Sequence, residues 1–238
     1  MEFDEHLWEF CKDCRTDKSF LHWKGNGDVC VLPEGVTDCS GMFSDLVIPE
    51  TLRFEGFDKG TIASISHMFK GAKLPDNFRF GDWFDCSNVT DMSHCFYLAK
   101  LGKGFRMKGD FSNVRDVLLL FGNARSEGDC VIDAGFPECK DFFYMFRGFS
   151  GDLELTEKFC VEQASNFANM FLGYDGNLVF RNAKSINTHA GVFPNCDIPG
   201  ALTYDKWCLL NNREHITYDK YIIDFLSKNG KDGETSFF

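Results

Sequence analysis

The chain has 238 residues and a mass of 27.1 kDa, with 44% hydrophobic and 26% charged residues. That balance excludes a disordered protein, and the lack of any run of about 18 apolar residues excludes a transmembrane helix. The net charge of −11 argues against direct binding to nucleic acid or to an anionic membrane, since both need clustered Lys and Arg side chains. The acidic start, MEFDEHLWEF, does not resemble a signal peptide, so we expect a cytoplasmic protein.

The first segment places Phe3, Leu7 and Cys11 at helical spacing. This spacing predicts an amphipathic helix, and we assign residues 1–28 to an N-terminal helical cap. The same segment holds a C-x-x-C motif that ends at Cys14. Zinc sites usually have a second ligand pair, which is not evident here, so we assign no metal and leave metal binding by this motif open. The 11 cysteines, an odd number, favour free thiols in a reducing compartment over a disulfide framework.

A repeat dominates the rest of the chain. The motif V-T-D-x-S-x-x-F occurs twice, from Val36 to Phe43 and from Val89 to Phe96, and its final Phe recurs every 22 to 27 residues. The recurring residues are Phe43, Phe69, Phe96, Phe121, Phe146, Phe171 and Phe193. Stacking of such units would bury these rings as a continuous aromatic spine, which accounts for the 27 Phe of the chain. We therefore assign residues 29–198 to a solenoid of about seven units.

Each unit also contains a short alternating segment, such as Leu52-Arg53-Phe54, that predicts a strand. Strands of successive units would lie about 4.8 Å apart in a parallel sheet. The residue two positions after each spine Phe is typically one such as Gly71 or Asn123, suited to the left-handed conformation that ends a helix. We therefore expect an α/β repeat solenoid in which each unit of about 25 residues is a strand, a loop, a short helix and a capped turn.

The segment from Phe84 to Phe96, FDCSNVTDMSHCF, resembles the repeat of BspA-like leucine-rich-repeat proteins, which carry FDxSNVTDMSxMF-type units. The resemblance extends over about residues 29–197 and is strongest in two units. It implies a right-handed, leucine-rich-repeat-like solenoid and a role in adhesion or protein interaction, and it implies no catalysis. Because the family is often found in bacterial surface proteins, an adhesin-type role is one alternative function.

The composition changes after Pro199, where Thr203 and Thr217 each precede Tyr-Asp-Lys. Thr is a favoured helix N-cap, and the Asp that follows complements the helix dipole. We therefore predict two helices beginning at these residues and assign residues 199–238 to a C-terminal helical cap and tail.

No known catalytic motif is found, and we expect neither an enzyme nor a cofactor. His67 and His94 occupy equivalent repeat positions and could stack as neighbours, as a metal-binding or pH-sensing pair would. The varied residues at the same position in the other units favour a tolerant surface position instead.

The outward position of the predicted strands carries Arg53, Arg79 and Arg106 in successive units, with Lys108 on the same face as Arg106. In register, these four residues would form a basic stripe, here called the arginine stripe, that could hold a partner rich in carboxylates or phosphates. The alternative is a solvated sheet face on which Arg stems cover apolar surface.

These observations predict a non-catalytic cytoplasmic module that binds, and in one version inhibits, another protein. The acidic charge suits a partner with a basic surface. A second alternative is therefore a phage-type anti-defence inhibitor, which would cover the basic nucleic-acid-binding surface of its target. We expect neither nucleic acid nor a membrane as a direct partner.

Overall fold

The chain forms a β-solenoid in which successive turns of the backbone pair with one another. The computed structural model describes residues 4–12, 19–160, 163–166, 169–181 and 216–218. Its strands are β1 (Trp8–Lys12), β2 (Ser19–Trp23), β3 (Val29–Val31), β4 (Arg53–Glu55), β5 (Arg79–Phe80), β6 (Lys100–Leu101), β7 (Phe105–Lys108), β8 (Arg125–Ser126), β9 (Cys130–Asp133), β10 (Leu153–Leu155), β11 (Leu178–Phe180) and β12 (Ile216–Tyr218).

Strands one turn apart pair in parallel and in register. β10 lies between β9 and β11, so Leu153 faces Cys130 on one side and Leu178 on the other. The sheet order β11-β10-β9-β7-β5 confirms the predicted parallel sheet. A second ladder, formed by β6, β8 and single bridges, runs along another side of the turns. Side chains at one repeat position are therefore aligned in columns along the solenoid.

The predicted aromatic spine is confirmed within the described turns. Its rings are stacked one above the next, with centroids 5.0–5.5 Å apart and interplanar angles of 2–16°. The six residues, each 0% exposed, are Phe43, Phe69, Phe96, Phe121, Phe146 and Phe171. Burial of one such side chain stabilises a fold by about 1.5–3 kcal/mol, so the spine is a major source of stability. Phe193 lies outside the described residues.

The predicted short helix of each unit is wrong, because none of the described residues forms a helix and the fold there is all-β instead of α/β. Residues two before and two after the spine Phe are left-handed, as in His94 (φ 58°) and Leu98 (φ 60°). An α-helix needs φ near about −63° throughout, so this segment forms tight turns instead. The amide of Phe96 donates to the carbonyl oxygen of Leu120 in the next turn. The described part of the chain accordingly contains no helix capable of spanning a bilayer.

The left-handed residue predicted two positions after each spine Phe is confirmed, with φ between 52° and 71°. These residues are Asp45, Gly71, Leu98, Asn123, Gly148 and Gly173. The residue type indicated a left-handed turn correctly, but such a turn follows a helix and a β-arc equally well, which explains the error about the helix.

The N-terminal cap is a β-hairpin, and the predicted helix over this segment is wrong. β1 and β2 pair antiparallel, with Trp8 opposite Trp23. Both indole side chains are buried, whereas Phe10 is 70% exposed, so the apolar residues do not share one helical face. The amide of Trp23 donates to the carbonyl oxygen of Met42, which attaches the hairpin to the first turn of the solenoid.

At the other end, β12 pairs antiparallel with β11 and places Thr217 opposite Val179. Thr217 therefore lies in a strand, and the prediction that it caps a helix is wrong. The flanking Ile216 and Tyr218 are residues that favour strands. Thr203 lies outside the described residues, as does most of the predicted C-terminal cap.

The main strand column is interrupted between β4 and β5. β4 pairs with β3 in a separate two-stranded sheet, while β5 forms the edge of the larger sheet. The ring of Trp83 lies at this interruption, stacked on Phe54 with 3.7 Å between centroids and edge-on to Phe80 at 5.8 Å. We attribute the loss of backbone pairing to this indole, which contacts aromatic rings of both turns.

Candidate interaction surface

The arginine stripe is only partly assembled in the fold. Arg79 of β5 and Arg106 of β7 are paired in register, as predicted. Arg53 of β4 pairs with Val29 instead, on the other side of the interruption at Trp83. The role of these residues in binding stays a prediction.

Among the described residues, two of the four stripe cations form ion pairs. Arg106 Nη2 donates to Asp133 Oδ2 at 2.9 Å, and Lys108 Nζ lies 2.6 Å from Asp82 Oδ1. Asp133 also accepts a hydrogen bond from the Thr156 hydroxyl. Burial raises the pKa of Asp133, but the hydrogen bonds to its carboxylate outweigh burial and hold the pKa below its ordinary value. Arg106 is thus held in an internal network, which leaves it less available to a partner.

A second basic surface was not predicted. Lys73, Lys100 and Arg125, here called the cation column, stand on three successive turns and are paired in register. All three side chains are exposed, and within the described ranges none of them forms an ion pair. Like charges on neighbouring strands, about 4.8 Å apart, repel one another until an anion lies between or beside them.

The sequence did contain a signal for the cation column, since each of its residues lies four positions after a spine Phe. The signal is weak by itself, because a periodic cation is ordinary on a solvated face. The parallel register of the structure places the three charges side by side, which the sequence pattern alone does not show.

An acidic column lies five residues before the spine Phe. Asp91 and Asp116 are paired in register, and Asp141 occupies the same repeat position in the following unit. Each carboxylate accepts a hydrogen bond from the backbone amide two residues later, at 2.8–2.9 Å. These bonds fix the start of each turn. A structural role therefore explains these three residues, and no binding partner is needed to account for them.

His67 and His94 are stacked, as the sequence indicated, with ring centroids 4.5 Å apart and an interplanar angle of 5°. His67 Nδ1 lies 2.8 Å from the Ser66 hydroxyl, whereas His94 Nδ1 is buried without a hydrogen-bond partner. Burial lowers the pKa of His94, with Asp116 and Asp91 opposing the shift and Lys70 adding to it. Burial therefore favours the neutral form of the His94 imidazole. Metal binding by the pair stays untested.

We expect the free energy of unfolding to fall as the pH drops below 6.5, the ordinary pKa of histidine. Because the pKa of His94 is lowered by folding, the unfolded chain binds the proton more tightly. The contribution of His94 is therefore complete above pH 6.5 and is lost as the pH falls toward its lowered pKa. Urea denaturation at a series of pH values should show a shallower decline in His94→Asn, since Asn169 is left-handed at the equivalent position. Identical curves for the wild type and His94→Asn would contradict this prediction.

The described cysteines provide no nucleophile in the solenoid core. All eight are free, and six of them are buried with the pKa of the thiol raised by that burial: Cys30, Cys39, Cys86, Cys95, Cys130 and Cys139. Burial raises the pKa of Cys139 to about 11. These thiols stay protonated near neutral pH, and only the thiolate is a strong nucleophile. Cys11 lies on the hairpin, and Cys14 lies outside the described residues.

The chain matches a family model with the description "Mycoplasma protein of unknown function, DUF285". It matches twice, over residues 37–150 and 84–193, so that together the matches span more than half of the chain and nearly all of the described solenoid. The two matches overlap with an offset, as expected for a repeated unit. No curated protein and no solved structure matches the chain.

Proposed function

Since the chain belongs to the DUF285 family of Mycoplasma proteins of unknown function, a repeat family, we propose from its geometry that it is a non-catalytic module that binds another protein along the solenoid. The observation that supports this proposal is the cation column, three exposed like charges held in register on successive turns. A rigid solenoid keeps such a column extended and pre-organised, which lowers the entropic cost of binding.

The partner that suits the cation column is a short acidic segment of another protein. Carboxylates beside Lys73, Lys100 and Arg125 would relieve their mutual repulsion through charge-assisted hydrogen bonds. The net charge of −11 repels a long polyanion such as nucleic acid, so a short segment that meets only this column is favoured.

A second candidate is a partner with a basic surface, as in an inhibitor that covers the nucleic-acid-binding face of its target. The acidic column of Asp91, Asp116 and Asp141 and the overall negative charge favour this candidate. We rank it second because hydrogen bonds to backbone amides already account for these carboxylates.

The resemblance to BspA-like proteins supports a further version of the proposal, in which the solenoid is an adhesin-type surface protein. BspA-like membership and a cytoplasmic location both stay predictions from the sequence. A surface location and a cytoplasmic location are alternatives for this chain, and fractionation of the source cell with an antibody against it distinguishes them.

The test measures binding of a fluorescein-labelled oligoglutamate peptide to the full chain by fluorescence anisotropy. We expect Lys73→Glu/Lys100→Glu/Arg125→Glu to weaken binding by about tenfold or more, equivalent to about 1.4 kcal/mol. The matched control is Arg53→Glu/Arg79→Glu/Arg106→Glu, which changes the net charge equally. Because Arg106 is already bound to Asp133, the control should weaken binding less.

Equal losses in the two triple variants would show that net charge alone governs binding and would contradict a role for the cation column. A larger loss in the arginine variant would assign binding to the arginine stripe. Wild-type protein that binds oligolysine and not oligoglutamate would support the second candidate instead.

A further inference from the structure

The N-terminal hairpin brings together three side chains that can bind a metal ion. In the register of β1 and β2, Glu9 faces His22, and Cys11 lies two residues along β1 on the same face as Glu9. One ligand atom from each of these residues lies within 4.8 Å of the other two. Cys11 Sγ donates to Glu9 Oε1 at 3.7 Å. We call these three residues the hairpin cluster.

The donor set has the chemistry of a thiophilic divalent cation. Thiolate sulfur, imidazole nitrogen and carboxylate oxygen are the ligands of Zn²⁺, whereas Mg²⁺ and Ca²⁺ take oxygen ligands. Zinc bonds of about 2.0–2.3 Å place neighbouring ligand atoms about 3.5 Å apart in a tetrahedral site. Small side-chain rotations on a partly exposed hairpin are therefore enough to close the hairpin cluster around an ion.

The hydrogen-bond partners of His22 provide an independent argument. Its Nδ1 lies 3.0 Å from the carbonyl oxygen of Trp23, and its Nε2 lies 3.1 Å from that of Ser44. A neutral imidazole has one N–H, so only one of these contacts is a hydrogen bond, and the other sets a lone pair against an acceptor. Metal-bound histidines commonly donate one ring N–H to a backbone carbonyl while the other nitrogen binds the ion. The hairpin already supplies that carbonyl.

We propose that Glu9, Cys11 and His22 bind Zn²⁺, with the fourth position open to water or to a further ligand. When the ion binds, the Cys11 thiol loses its proton to solvent, and the thiolate sulfur bonds to the cation. This site is separate from the cation column and does not depend on the proposed function.

The experiment titrates Co²⁺, a spectroscopic substitute for Zn²⁺, into the full chain after chelation and in a non-thiol reductant. We expect a saturable near-ultraviolet thiolate-to-cobalt band at one ion per chain, which added Zn²⁺ abolishes. Cys11→Ser should lose the band, and His22→Gln should bind Co²⁺ about tenfold or more weakly. Cys160→Ser, which removes a half-buried thiol away from the hairpin, is the matched control and should keep the band.

The melting temperature provides a second readout, since an ion that binds only the folded chain stabilises it. Zn²⁺ should raise the melting temperature of the wild type and of Cys160→Ser and should leave that of Cys11→Ser unchanged. The proposal is overturned if no saturable band forms. It is equally overturned if Cys11→Ser keeps the band, or if His22→Gln binds Co²⁺ as tightly as the wild type does.

Discussion

Replacing Phe96 with Ala is expected to lower the free energy of unfolding by about 3–5 kcal/mol. Phe96 is 0% exposed and stacks on Phe69 at 5.5 Å and on Phe121 at 5.0 Å, with edge contacts to Phe80 and Phe105. Its removal leaves a cavity in the centre of the spine, where the turns on either side cannot move together without breaking their backbone pairing. Since a domain is stable by only about 5–15 kcal/mol, this loss is a large fraction of the total.

Urea denaturation followed by circular dichroism measures this loss. Phe10→Ala is the matched control, because the Phe10 side chain is 70% exposed and its removal should change stability by no more than about 0.5 kcal/mol. Equal losses at the two positions would contradict the stacked spine as a source of stability.

The second large effect is expected for Gly81→Ala. Gly81 follows β5 with φ +98°, and a Cβ added there would collide with the backbone carbonyl oxygen of Lys108 at the end of β7. A left-handed Ala costs roughly 1–2 kcal/mol and overpacking a further 1–3 kcal/mol, so we expect a loss of about 3 kcal/mol. The collision is with backbone, so a side-chain rotation cannot relieve it.

Gly25→Ala separates the two causes. Gly25 is also left-handed, with φ +76°, but an added Cβ meets nothing within 4 Å. Gly25→Ala should therefore lower the free energy of unfolding only by the cost of a left-handed Ala, about 1–2 kcal/mol. Thermal and urea denaturation of both variants measure the difference, and equal losses would show that the close approach of Gly81 to β7 contributes nothing.

Periodicity carried most of what could be predicted. The spine phenylalanines, the strand at Leu153–Leu155 and the left-handed turn at Leu98 all follow from residue type at a fixed interval. The helix predictions for these segments were wrong for a common reason. The apolar spacing at residues 3–14 suits a helix and a strand alike, and antiparallel pairing with β2 decided between them. The segment before each spine Phe suits a helix and a β-arc alike, and hydrogen bonds to the next turn decided there.

For the candidate surfaces, the sequence predicted residues but not their partners. Arg79 and Arg106 are aligned as expected, yet Asp133 holds Arg106, and Arg53 lies in a separate sheet, beside the Trp83 ring that stacks on Phe54. Sequence spacing does not report such contacts, because Asp133 lies a full repeat beyond Arg106 and Trp83 belongs to an irregular turn.

The sequence alone determined that this protein is a repeat solenoid with an aromatic core, because a unit that cannot bury its apolar face by itself must stack on its copies. The tertiary structure alone decided which charges lie side by side and which ligands meet. Lys73, Lys100 and Arg125 became one surface through parallel register, and Cys11 met Glu9 and His22 through hairpin pairing. Register is set by contacts between residues far apart in the chain, so a local pattern does not contain it.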